Sequence, residues 1–135
     1  MFFNDTIAID RSVEEIYGFL ANLRTHLKCW DILFVPKHNE IPEDVLSVEG
    51  SFRLGASEYP CVIELYRTRE GSEVVSCINW ENGQIAAEFR VISERGRTLV
   101  KLTIEGQGGA LAAPIALQKM PYRILSRLKD HFTTA

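Results

Sequence analysis

The sequence predicts an α+β domain, a curved antiparallel sheet of six or seven strands wrapped around a long C-terminal helix, with two short helices after the first strand. Three observations carry this. Glycines in Glu70-Gly71, Asn82-Gly83 and Arg95-Gly96 punctuate runs of alternating apolar residues, and two-residue turns ending in glycine are strong hairpin signals. Taking each pair as a turn makes one face of four consecutive strands almost wholly apolar. The last segment, Ala110 to Phe132, then repeats Leu117, Ile124, Leu125, Leu128 and Phe132 at helical spacing.

The turns dictate a register. Trp80 faces Ile85, Ile78 faces Ala87, Ser76 faces Phe89 and Val74 faces Val91. Across the next turn Val91 faces Val100, Phe89 faces Leu102 and Ala87 faces Ile104. Across the first turn Cys61, Ile63 and Leu65 face Trp80, Ile78 and Ser76. The opposite face carries Glu64, Tyr66, Asn79, Glu88, Arg90, Lys101, Thr103 and Glu105. A one-residue slip would mix the two faces, so their separation supports the register.

In chain order, Phe3 to Asp10 alternates as a first strand, with Ile7 and Ile9 on one side. Ser12-Val13-Glu14-Glu15 is a capping box. It opens a helix in which Val13, Ile16, Tyr17 and Leu20 recur at helical spacing, and which bends or stops near Asn22. A second short helix runs from Leu23 to Cys29. Ile32 to His38 reads as a short strand and Asn39 to Asp44, with Pro42, as a loop. Val45 to Leu54 contains a strand interrupted at Gly50. The meander runs from Pro60 to Gln107, and Gly106 to Gly109 is a hinge-like break. In the last helix Pro114 suits a first turn, whereas Pro121 predicts a kink or break just before it. No repeat or linker divides the chain, so residues 1–135 form one domain.

Composition narrows the function. A formal net charge of -3 argues against a nucleic-acid partner. No run approaches a membrane span, and Met1-Phe2-Phe3-Asn4-Asp5 lacks the basic start of a signal peptide. A cytoplasmic location is the expectation. Cys29, Cys61 and Cys77 are odd in number, and the register points Cys61 and Cys77 to opposite faces, so reduced thiols are expected.

Four stretches carry a family resemblance. Ile7-Ala8-Ile9-Asp10-Arg11-Ser12-Val13-Glu14-Glu15-Ile16-Tyr17-Gly18-Phe19-Leu20 forms an opening strand and acidic helix start, with Ser12-Val13 where a small residue and proline are usual. Asn22-Leu23 to Trp30 is a short helix ending in tryptophan. Gly96-Arg97-Thr98-Leu99-Val100 turns into the last strand, and Leu125 to Lys129 ends the last helix. Together they resemble the helix-grip fold of the START-like, birch-pollen-allergen-like superfamily, SRPBCC. The likeness is to its small bacterial members of the polyketide cyclase/dehydrase and lipid-transport type, and covers nearly the whole chain. The resemblance implies a cavity between sheet and C-terminal helix that takes a small hydrophobic molecule, with no cofactor; it leaves a homodimer open.

Candidate ligand-binding residues are Trp30, Arg53, Tyr59, Ile63, Leu65, Ser76, Ile78, Trp80, Phe89, Leu102 and Met120. Among the inward groups only the Ser76 hydroxyl and the Trp80 indole offer hydrogen bonds, which suits a lipid, an aromatic or an isoprenoid. Arg53 and Tyr59 flank the turn Gly55-Ala56-Ser57-Glu58, near a cavity mouth. Three readings stay open: a carrier or sensor, a cyclase or aromatase, and a protein-interaction domain with a filled core. The enzyme would need an acid or base facing the ligand, but the register turns Glu64, Tyr66, Glu88 and Arg90 outward. His26 and Cys29 lack the further ligands a zinc site needs, so helix packing is their expected role. Cys29 has no oriented base for nucleophilic work. Gly106-Gln107-Gly108-Gly109 lacks the lysine of a phosphate loop. Lys119, Arg123, Arg127 and Lys129 read as a solvated helix face.

Overall fold

The computed structural model describes residues 2–31, 33–68 and 72–133. The expected turn at Glu70-Gly71 and the strand start at Ile32 lie outside them. The strands are β1 (Phe2–Ile9), β2 (Phe34–Pro36), β3 (Ser47–Leu54), β4 (Ser57–Arg67), β5 (Glu73–Trp80), β6 (Gly83–Glu94) and β7 (Arg97–Gly108). They form one antiparallel sheet of seven strands in the order β1-β7-β6-β5-β4-β3-β2. The helices are α1 (Val13–Ala21), α2 (Leu23–His26), a 3₁₀ turn at Leu27–Trp30, and α3 (Pro114–Thr133).

Local chemistry sets most boundaries. The Ser12 hydroxyl accepts from the Glu15 amide at 3.1 Å and donates to the Glu15 carboxylate at 3.2 Å, so Ser12 is the N-cap of α1, with the carboxylate taking its hydroxyl rather than the backbone N–H of a full capping box. Asn22 ends α1 and caps α2, its side chain accepting from the Arg24 amide at 3.0 Å. β3 runs without interruption through Gly50. A Cβ there would meet the Val35 carbonyl and, at 2.5 Å, the Phe34 ring. The glycine lets β2 lie close rather than breaking β3. β7 continues to Gly108, through most of the expected break at Gly106 to Gly109, before a 3₁₀ turn at Gly109–Ala112. α3 does not break at Pro121; the ring sits on the buried side among Leu117, Met120, Ile124, Leu125 and Leu128.

The β6–β7 and β4–β5 registers agree with expectation: Val91 pairs with Val100, Phe89 with Leu102, Ile63 with Ile78 and Leu65 with Ser76. Arg95 and Gly96 both have positive φ, 52° and 76°, as a mirror-image hairpin turn requires. The β5–β6 register is shifted by two residues. Trp80 pairs with Gly83, Ile78 with Ile85, Ser76 with Ala87 and Val74 with Phe89, so the turn residues are Glu81 and Asn82. Gly83 serves the Trp80 indole instead: a Cβ on it would collide with that ring. A two-residue shift preserves parity, which is why the faces stayed correct.

On the inner face, Ile63, Leu65, Val74, Ile78, Phe89 and Leu102 are each at most 2% exposed. Its cover is shared. α3 packs on β1 and β7, while α1 contacts β4, β5 and β6. The short helices take the centre because Ile16, Leu20, Leu23, His26 and Trp30 present a fully apolar or internally bonded surface to it.

Candidate functional site

Trp30 and His26 are 0% exposed. They stand one helical turn apart, so their side chains meet. The Trp30 indole N–H donates to His26 Nε2 at 3.1 Å, and His26 Nδ1 lies 2.9 Å from the Leu20 carbonyl. An indole can only donate, so Nε2 accepts and Nδ1 carries the proton. Burial lowers the His26 pKa to about 4, against the Leu20 hydrogen bond, which favours the charged ring. The ring packs edge-on against Phe89 at 5.1 Å. His26 is thus a neutral core residue. The spacing of two polar-tipped aromatics at i and i+4 was the signal that could have found this pair.

Of the other sequence candidates, Ile63, Leu65, Ile78, Phe89 and Leu102 lie in this core. Ser76 lies there too, and its hydroxyl has no hydrogen-bond partner among the described residues. Trp80 and Tyr59 extend the core aromatics outward: their rings stack at 5.2 Å, Phe52 lies 5.6 Å from Trp80, and Phe52 in turn lies 6.5 Å from Trp30. Arg53 and Met120 come together in a cleft.

That cleft lies between α3 and the end of β3. It has a volume of about 380 Å³ and is lined by Leu33, Arg53, Leu54, Gly55, Ala116, Met120 and Arg123. The turn after β3 places Gly55, with φ of 63°, against Ala113. The backbone of Arg53 is anchored by its N–H donating to the Leu33 carbonyl at 2.7 Å. The floor is apolar, since Leu33, Leu54 and Met120 are buried. The Arg53 guanidinium donates to Glu58 at 2.9 Å in an exposed pair. Arg123 forms no ion pair or hydrogen bond among the described residues.

A larger groove, about 730 Å³, crosses the sheet near Val35, Ser51, Pro60, Val62 and Asn79, with Trp80 at its border. Most of its lining residues alternate with the buried Phe34, Phe52, Cys61, Ile63 and Ile78, so it runs over the outer face. It is the more open of the two. The smaller cleft has a helix wall and a sheet wall and removes more of a guest from water.

The remaining chemical candidates take structural positions. Burial pushes the Cys29 thiol well above its usual range and Cys61 up to about 11, so neither is an activated nucleophile. Among the described residues no cluster of His, Cys, Asp or Glu could hold a metal. Arg127 pairs through its guanidinium with both carboxylate oxygens of Asp31, tying α3 to the chain after the 3₁₀ turn. No described helix is long and apolar enough to cross a membrane.

No family model matches the chain, and no curated protein matches it significantly. Solved structures do. A START superfamily protein from Mycobacterium smegmatis aligns with a TM-score of 0.72 at 9% identity, over 98% of this chain and 97% of that one. The major latex-like protein 151 of Panax ginseng aligns at 0.70 and 10% identity, over 98% and 97%. The Aha1 dimer protein from Colwellia psychrerythraea aligns at 0.63 and 19% identity, over 98% and 96%. These identities speak for architecture, and the seven-stranded sheet with its long closing helix agrees with them. The chain therefore has the helix-grip fold of the START-like, birch-pollen-allergen-like SRPBCC superfamily.

Proposed function

We propose that this protein binds a small hydrophobic molecule, a lipid, polyketide or aromatic compound, in the cleft between α3 and the β3–β4 hairpin, as a carrier or sensor. The observation that carries this is the apolar-floored space of about 380 Å³ where sheet and closing helix part, a size within the range of small-molecule sites. Binding is favoured over catalysis of the cyclase type because the described lining holds no carboxylate, histidine, tyrosine or cysteine for proton transfer. The three free cysteines suit a reducing, cytoplasmic setting. The Aha1 dimer among the structural relatives keeps a homodimer within this reading.

A second reading has its own support. The centre of the inner face is filled, and the outer face carries the 730 Å³ groove, as expected of a protein-interaction domain. Native mass spectrometry of protein purified from its own host's extract distinguishes the two. A released stoichiometric hydrophobic compound, lost in an Ala116→Phe variant that melts normally, is the expected outcome. An empty protein whose binding of hydrophobic probes ignores Ala116→Phe would sink the cleft reading and favour the outer groove.

A further inference from the structure

The cleft has an apolar floor and a cationic rim. Leu33, Leu54 and Met120 form the floor, and Arg53 and Arg123 stand in its lining with no acidic residue among the described lining residues. In a chain of net charge -3, this is a local reversal of sign. From these features we infer that the ligand is a single-tailed amphiphile with an anionic head, its chain over Met120 and its head at Arg123. The inference rests on the cleft reading above and names the ligand's chemistry.

Arg123 carries the argument. It projects from the middle of α3, one turn beyond Met120, and is free to take a new partner. A guanidinium matches a carboxylate with two parallel hydrogen bonds, which an ammonium cannot do. Arg53 is the secondary contact. Its pair with Glu58 is exposed on both sides, 63% and 59%, and such a pair is weak enough to exchange. A neutral or cationic head would forgo the contacts with both guanidinium groups.

Calorimetry with decanoate, decan-1-ol and decyltrimethylammonium tests the inference, because the three share a tail and differ in head. Decanoate should bind about tenfold or more tightly than decanol, the difference of one charge-assisted contact. Decyltrimethylammonium should bind more weakly than both. Arg123→Gln should bring decanoate close to decanol, and Arg123→Glu should reverse their order; both leave decanol unchanged. Arg123 is exposed, so both variants should melt like the parent. Equal affinity for decanoate and decanol, with both lost in Ala116→Phe, would overturn the anionic head and keep the hydrophobic cleft. Binding of none of the three would overturn both.

Discussion

Acidification should weaken this fold through one buried ring. His26 has its Nδ1 proton on the Leu20 carbonyl and its Nε2 lone pair on the Trp30 indole. A second proton would have to displace the indole N–H and charge a site with no counter-ion among the described residues. Burial accordingly lowers the pKa from 6.5 to about 4. Between those values the unfolded chain binds a proton that the folded chain refuses, so stability rises with pH in this window and is lost as pH falls through it. At 1.36 kcal/mol per pKa unit, the shift corresponds to about 3 kcal/mol in full, and about 2 kcal/mol between pH 7 and pH 4.5. Urea unfolding at several pH values would read this as a fall of about 1–2 M in the midpoint, with a slope usual for a small domain. Carboxylates also titrate there, so the comparison needs a His26→Gln variant. Its amide cannot titrate, and its carbonyl can accept from Trp30. The variant should start less stable at pH 7 and lose about 2 kcal/mol less than the parent on acidification. Equal losses in the two proteins would refute the reasoning, because His26 would then be titrating as freely folded as unfolded.

Three further outcomes follow from the packing. Ser76→Ala should stabilise the protein by about 1 kcal/mol, since it removes a buried hydroxyl without a partner; a loss of similar size in chemical denaturation would mean that the hydroxyl is bonded after all. Phe89→Asp should abolish folding by burying an unpaired charge where Phe89 is 0% exposed. Glu88→Ala should stay within about 0.5 kcal/mol, because its contact with Arg90 is a 3.8 Å exposed pair; circular dichroism that shows the reverse order would invert the faces of β6. Gly50→Ala should cost about 1–3 kcal/mol by forcing β2 and the Phe34 ring away, and an unchanged melting temperature would show that β2 does not need that approach.

Much of this architecture is legible locally. The alternation in β4 to β7 separates two faces with a period of two, and only a sheet satisfies it. Ser12 and Glu15 announce α1, and Asn22 marks where it gives way to α2. The Asn82-Gly83 pair shows the limit. Its composition says turn, yet Gly83 lies in β6 because the Trp80 ring crosses its α-carbon. Pro121 shows it again: the local rule predicts a break, but α3 continues with that ring buried against the sheet.

The candidate site divides in the same way. The apolar character of Ile63, Leu65, Ile78, Phe89 and Leu102 could be read directly, but whether they line a space or fill one could not. That depended on where α1 and α2 lie, and they put His26 and Trp30 over the centre of the sheet. Arg53 and Met120 are 67 residues apart in the sequence, and Arg123 carries no motif at all, so only the docking of α3 against the end of β3 makes them neighbours. The sequence alone determined the sheet, its two faces and the closing helix, because periodicity and turn chemistry act between residues close along the chain. The tertiary structure decided where the space lies and which charges rim it, because packing joins residues that share no local pattern.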